Sequence, residues 1–316
     1  MLMEKTFGEM YHMCRIPGIV LTEQGTLLAY YECRRSASDW ADIDLKIIRS
    51  TDKGDTWEKT LLIPSSGNTM NNPMITVEGE TIHFFYCENY RRLFHRVSTN
   101  DGRTFSEPVE LTSVFDQGGF FYNVIAIGPG HGIVHNGVLL LPVWIGCNRE
   151  DPKAHHPSFI ATIYSQDSGN SWKLGDVIGR ELLIDPSECA LAVTPDSKVL
   201  ISIRNENDCR SRAFALSETG YSGWTDLHFA ENMPDPVCMG SMAHTKDAVY
   251  HINCAVRKGR ENLTIKVSRD NFETFEEIFV DDPAGYSDIA VGAEDIFVLY
   301  EKDIANDGLY FKRIKR

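Results

Sequence analysis

Ser50-Thr-Asp-Lys-Gly-Asp-Thr-Trp57 is the stretch on which the fold turns, because it recurs. Ser98-Thr-Asn-Asp-Gly-Arg-Thr-Phe105 and Ser165-Gln-Asp-Ser-Gly-Asn-Ser-Trp172 are clear copies. Ser217-Glu-Thr-Gly-Tyr-Ser-Gly-Trp224 and Ser268-Arg-Asp-Asn-Phe-Glu-Thr-Phe275 are worn ones; in all five a serine stands seven residues before an aromatic. The copies begin 48, 67, 52 and 51 residues apart, a spacing that suits one four-stranded sheet per repeat. The chemistry is that of a hairpin turn, in which Asp accepts from amides of its own turn and Gly takes the φ > 0 position. The aromatic brings a large apolar body at a fixed offset, suited to filling the space between sheets. Apolar runs at 45–48, 82–86, 138–143, 199–203 and 296–300 read as strands, and no long amphipathic helix pattern occurs. At this spacing 316 residues make about six sheets, with one box lost. The chain therefore reads as an all-β, six-bladed β-propeller, one domain over residues 1–316 with no appended lectin domain.

Composition narrows the function. The chain is 42% hydrophobic, enough for a large core, and carries a net charge of -14. That charge argues against nucleic acid or an anionic membrane as partner, since either is repelled at long range. An anionic ligand held in one focused cationic pocket is still allowed. The eight cysteines, at 14, 33, 87, 147, 189, 209, 238 and 254, form no pair at metal-ligand spacing, so no metal or cofactor is expected. In a chain with its own core they read as buried thiols, which implies a reducing compartment. The N-terminal stretch lacks a basic region followed by an apolar run, and no apolar run is long enough for a membrane span. A soluble cytoplasmic protein is the expectation; oligomeric state stays open.

The repeats resemble the Asp boxes of the sialidase superfamily, and the chain is similar to exo-α-sialidases of the bacterial glycoside hydrolase family 33 type. In that family the boxes sit on blade edges and carry no chemistry. A propeller hosts many functions, so function has to come from the site. The resemblance implies a retaining hydrolase that removes terminal sialic acid from a glycan. Such a sugar carries a carboxylate on its anomeric carbon. Several guanidinium groups aimed at one point would bind it, because each matches a carboxylate bidentately. An ionised Asp or Glu nucleophile would be repelled by that carboxylate, so a neutral tyrosine activated by a nearby glutamate is the better choice; sialidases are a known exception to the two-carboxylate rule.

The parts follow in order along the chain. Arg15-Ile-Pro17 resembles the motif that opens the family's domain, implying Arg15 as the first arginine of the carboxylate clamp. The segment from Glu32 to Asp44 resembles the one before the first box, implying Arg34 as a substrate contact and Asp39 as acid/base, with Arg35 and Asp42 as alternatives. Gly128-Pro-Gly-His-Gly-Ile133 and the strand to Trp144 resemble the family's middle stretch. Glu188 and Arg204 are implied as the base and the second clamp arginine, and Arg260 as the third. Ala284-Gly-Tyr286-Ser-Asp288 resembles the nucleophile motif, giving Tyr286, and Glu301 resembles the carboxylate that orients Arg15. Asn72 and Trp144 look like contacts to the sugar's side arms.

Each of these residues also has a plainer reading. A single arginine is usually a solvated charge; Arg15, Arg204 and Arg260 escape that only as a set lying in or beside apolar strand patterns. Asp39 has the plainer reading of a turn residue and Tyr286 that of a packed aromatic, but their motif context favours acid/base and nucleophile. His155-His156 reads as loop. Cys14 and Cys33 depart from the family beside Arg15 and Arg34, and are expected to reshape the rim of the site. A hydrolase of a related ulosonic acid, a transglycosylating variant and a non-catalytic sialic-acid-binding propeller are the rivals. The last would need the arginines but not Asp39, Glu188 and Tyr286.

Overall fold

A strand covered on both faces reads as a near-continuous apolar run, and Val138–Gly146 and Leu27–Arg34 are buried almost throughout. In the computed structural model, which describes residues 2–5, 11–302 and 308–316, these strands are inner members of six sheets, antiparallel but for one two-residue parallel pair. The first blade is Met13–Leu21, Leu27–Arg34, Ile43–Ser50 and Glu58–Ile63. The second begins with Met70–Glu78 and Thr81–Glu88, the third with Val124–Ile127 and Val138–Gly146. The fourth begins with Cys189–Val193 and Val199–Ile203, and the fifth with Ser241–His244 and Val249–Cys254. The sixth holds Ser287–Val291, Asp295–Lys302 and Gly308–Lys315, and its outermost strand is Leu2–Lys5 from the other end of the chain. Burial falls from inside to outside; outer strands such as Glu58–Ile63 and Glu276–Asp281 are half exposed.

Each box sits between the third and fourth strands of its blade and latches it to the blade before. In the first, Asp52 Oδ1 accepts from Ser50 Oγ at 2.7 Å and from the Thr56 amide at 2.9 Å, and Ser50 Oγ accepts from the Gly54 amide at 2.8 Å. The third repeats this with Ser165, Asp167, Gly169 and Ser171. Gly54 has φ +92°, and a Cβ there would stand 2.2 Å from the Phe311 ring of the sixth blade. Trp57 meets that same ring edge-on at 5.3 Å, and Trp172 meets Phe85 of the second blade at 5.2 Å. Asp101, in the second box, accepts from Thr22, Thr26 and Arg49 of the first blade. In the fifth box Phe272 takes the glycine position at φ +69° and stacks on Phe214 of the fourth blade at 5.4 Å. The sixth box is missing for a topological reason. The sixth blade's third and fourth strands lie at opposite ends of the chain, so no hairpin joins them.

The wide 67-residue gap between the second and third boxes also has a cause. It holds a 3-10 helix, Thr112–Gly118, and an excursion of the chain to the propeller axis. There Gly130–His131 pairs in parallel with Met74–Ile75 of the second blade before the chain returns to the third. A Cβ on Gly132 would meet Thr76 Oγ1 at 2.2 Å, so the Gly-Pro-Gly-His-Gly stretch is built for close approach. Below the site, Asp288 gathers His131 Nδ1 at 2.9 Å, Ser241 Oγ and the Ile19 amide at 2.8 Å. Among the described residues no helix is long and apolar enough to cross a membrane.

Candidate active site

In every blade the chain that follows the second strand emerges on the same face of the ring. Arg34, Tyr90, Trp144, Arg204, Arg260 and Glu301 all lie at or just past the ends of second strands. Their opposite numbers precede or interrupt the first strands. The Arg15–Gly18 and Asn71–Met74 register shifts are bulges in the innermost strands of the first and second blades. Each puts one residue in the left-handed region, Ile16 at φ 56° and Asn72 at φ 50°. For a β-branched residue that conformation costs about 1–3 kcal/mol, and it is held by a buried glutamate on the preceding blade. The Ile16 amide donates to Glu301 Oε1 at 3.1 Å; the Asn72 amide donates to Glu32 Oε1 at 2.9 Å. The same joint is thus built twice.

One cavity is lined by Arg15, Arg34, Asp39, Asn72, Trp144, Glu188, Arg204, Arg260 and Tyr286. Tyr286 and Glu188, 98 residues apart, meet at its floor: Tyr286 Oη donates to Glu188 Oε1 at 2.5 Å. Arg204 Nη1 donates to Glu188 Oε2 at 2.5 Å and to Tyr286 Oη at 2.7 Å. Main-chain bonds fix both pairs, Arg204 N to Glu188 O at 3.0 Å and Glu301 N to Tyr286 O at 2.8 Å. The guanidinium carbons of Arg15 and Arg260 lie 5.0 and 5.1 Å from the Tyr286 ring centroid. Glu301 lies behind the cavity wall. It accepts from Arg15 Nε at 3.0 Å, Arg15 Nη2 at 3.2 Å and the Tyr286 amide at 3.3 Å, with Arg260 Nη1 at 3.9 Å.

Arg34 is wholly buried. It donates through Nε to Glu32 at 2.8 Å and through Nη1 to Asp39 Oδ1 at 2.7 Å. Asp39 stands on the rim, its side chain about half exposed. Burial alone would raise its pKa, but the charge of Arg34 and the hydrogen bond from it outweigh this and hold Asp39 below the usual range. Burial pushes the Tyr286 phenol well up, against the pull of Arg204 and with the push of Glu188. Both directions favour a neutral Tyr286 beside an ionised Asp39. Among the described residues no cluster of His, Cys, Asp and Glu is placed to hold a metal.

Of the alternatives, Arg35 and Asp42 fall outside the cavity. Arg35 turns away to Asp44 at 3.1 Å and Asp42 at 3.3 Å. Cys14 and Cys33 do not touch the rim, contrary to expectation. They face each other across two strands, Sγ to Sγ 3.8 Å, within the core between the first and sixth blades. Alternation along the strand sends residue 14 to the face opposite Arg15. No disulfide joins any of the eight cysteines, and six are buried.

The sequence missed Tyr90, His155 and His156, all of which line the cavity. Tyr90 lies in the turn after Thr81–Glu88, and His155, read as mere loop, comes in from the turn after Val138–Gly146 with His156 beside it. The His155 ring packs against Tyr90 at 5.0 Å and Trp144 at 5.1 Å. Their signal was positional, since all three follow a second strand. Trp144 Nε1, His155 Nε2 and Arg204 Nε are buried around the cavity without a protein hydrogen-bond partner among the described residues.

Residues 58–298 match the family described as BNR repeat-like domain. The chain belongs to that family, within the sialidase superfamily. It is 28% identical over 350 aligned positions to a sialidase of Bacteroides fragilis, covering 95% of this chain and 62% of the relative. The Hadza microbial sialidase Hz136 superposes with a TM-score of 0.83 at 24% identity, over 97% of this chain and 66% of the other. Trypanosoma rangeli sialidase in complex with 2,3-difluorosialic acid, a covalent intermediate, superposes with a TM-score of 0.79 at 20% identity, over 95% of this chain and 54% of the other. The chain thus spans about half to two thirds of the length of these proteins, and the structural likeness establishes the sialidase propeller fold.

Proposed function

We propose that this BNR-repeat propeller is a retaining exo-α-sialidase. The observation that carries the reading is the contact of Tyr286 Oη with Glu188 at 2.5 Å beneath three arginines that converge on one cavity. Arg15, Arg204 and Arg260 clamp the carboxylate of the sugar, with Arg34 assisting, and Asn72 and Trp144 meet its side arms. Glu188 takes the phenol proton as Tyr286 Oη bonds to the anomeric carbon and the glycosidic bond breaks. Arg204, bonded to both partners, holds the charge that shifts between them, and the paired arginines stabilise the oxocarbenium-like transition state.

Asp39 gives its proton to the leaving oxygen, then takes one from the water that attacks the anomeric carbon, as Tyr286 Oη departs and recovers its proton from Glu188. It is ionised while Arg34 is paired with it. A substrate carboxylate competing for Arg34 withdraws that support, and burial by the bound sugar then raises Asp39 toward the protonated form the first step needs. Release of the sugar returns Arg34 to Asp39. The kinship with named sialidases supports the substrate class, although the clamp itself reads only a carboxylate.

The test is Tyr286→Phe assayed on an aryl α-sialoside. Turnover should fall by three or more orders of magnitude while a carboxylate sugar still binds. The first-formed sugar released by the wild type should be the α-anomer by proton NMR. Inactivity of the wild type on every α-linked nonulosonic and ulosonic acid glycoside would overturn the hydrolase reading in favour of a binding propeller.

A further inference from the structure

Beside the catalytic cavity lies a second groove, lined by Trp40, Asp42, Asn89, Arg91 and Lys153 among others. Trp40 is the partition between them. Its ring packs on Tyr90 at 4.9 Å and on His155 at 6.2 Å, both lining residues of the catalytic cavity. On the groove side, Lys153 Nζ lies 5.2 Å from the Trp40 ring centroid. The residue before Trp40 is Asp39, half exposed on the rim. If Asp39 protonates the glycosidic oxygen, the scissile bond lies at this rim and the rest of the substrate extends past Trp40.

The groove's charge is unusual for this molecule. The chain carries -14 overall, yet among the groove's lining residues a single carboxylate, Asp42, stands against two cations, Arg91 and Lys153. Arg91 and Lys153 are exposed, and among the described residues neither side chain has an ion pair or hydrogen bond. Two cations without a carboxylate partner, one of them resting over the Trp40 ring, match a sugar that bears an anion: the anion meets Arg91 and draws Lys153 off the indole, and the sugar takes its place against Trp40.

We propose that this groove is the leaving-group subsite and that it selects a leaving group which is itself a carboxylate-bearing sugar. The inference rests on the hydrolase reading and deepens it. A substrate with two carboxylates is repelled by the protein at long range, so local cations have to supply the preference. An exposed ion pair contributes up to about a fivefold effect, and salt screens it.

Three substrates decide the matter: the aryl α-glycoside, the same sugar α-linked to lactose, and the α-linked dimer of the carboxylate sugar. The aryl glycoside reports the chemical step in every variant. At low salt the wild type should show kcat/KM several-fold higher on the dimer than on the lactoside, a ratio that shrinks toward one as salt is raised. In the double variant Arg91→Ala, Lys153→Ala the ratio should fall about three- to tenfold, and Lys153→Glu should push it below one. A wild-type ratio of one, or a ratio unchanged in the double variant, overturns the proposal. If the wild type turns over none of the three, the hydrolase reading fails instead. Titration of the dimer and the lactoside then tests the groove alone, and equal affinity overturns it.

Discussion

Glu301→Gln is the substitution whose cost the geometry specifies most closely. Oε1 accepts from Arg15 Nε and the Ile16 amide, and Oε2 from Arg15 Nη2 and the Tyr286 amide. An amide is isosteric with this carboxylate but must place its NH2 at one of those two positions. Either way two donors face a donor, and Arg15 loses its counter-charge with Arg260 close by. Breaking a buried ion pair by changing one partner costs about 3–5 kcal/mol. Arg15 keeps 15% of its side-chain surface in water, which favours the lower end, about 3 kcal/mol. At about 2 cal/mol/K of unfolding entropy per residue, this lowers the melting temperature by about 5 °C. The same loss frees Arg15 and relaxes the strained Ile16 turn, so the affinity for a carboxylate sugar should fall at least tenfold. Urea unfolding and inhibitor titration read the two effects separately. A variant within about 0.5 kcal/mol of wild type with unchanged inhibitor affinity would refute the role given to Glu301 as the anchor of this joint.

Two stability predictions concern the blades. Burial first, then the neighbouring His83, lowers the His95 pKa to about 3. A base depressed in the folded state stabilises the fold fully above its unfolded value near 6.5, and that contribution is lost as pH falls toward 3. At pH 5 the loss should be about 2 kcal/mol, and His95→Phe should remove close to one proton from the slope of stability against pH between 6 and 4. An unchanged slope would locate the acid sensitivity elsewhere. Gly54→Ala should cost more than 2 kcal/mol, because it combines φ +92° with a Cβ 2.2 Å from Phe311. Gly67→Ala, with a similar φ but nothing within 4 Å, separates the backbone share in the same denaturation series.

Ring order was legible because each box is local: serine, acid, glycine and aromatic act within eight residues, so their spacing survives in the sequence. The residues that line the cavity were legible through their resemblance to sialidase motifs; in the fold Arg204 and Glu188 are neighbours across one hairpin and Tyr286 and Glu301 across another. Tyr90 and His155 escaped because they reach the cavity through loops, whose path spacing does not encode. Asp39 lines the cavity, but the lowering of its pKa depends on a buried Arg34 whose depth the sequence does not disclose. Cys14 is the instructive miss: simple alternation from Arg15 points it inward, and its place beside a motif obscured that. The absent sixth box follows from strand order, which becomes visible only once Leu2–Lys5 is seen to close the last blade.

The doubled bulge has a consequence for how such a surface changes over time. Ile16 over Glu301 and Asn72 over Glu32 are two sockets of one design, each holding a kinked main chain with a carboxylate from the adjacent blade. The kink is secured through the amide, which every residue but proline possesses, while the charge of the buried carboxylate is met separately, by Arg15 in one socket and by Arg34 in the other. One socket presents Arg15 and the other Asn72 to the same cavity. Two equivalent joints can therefore show a ligand different chemical groups on one frame, as long as each buried carboxylate keeps a cation beside it.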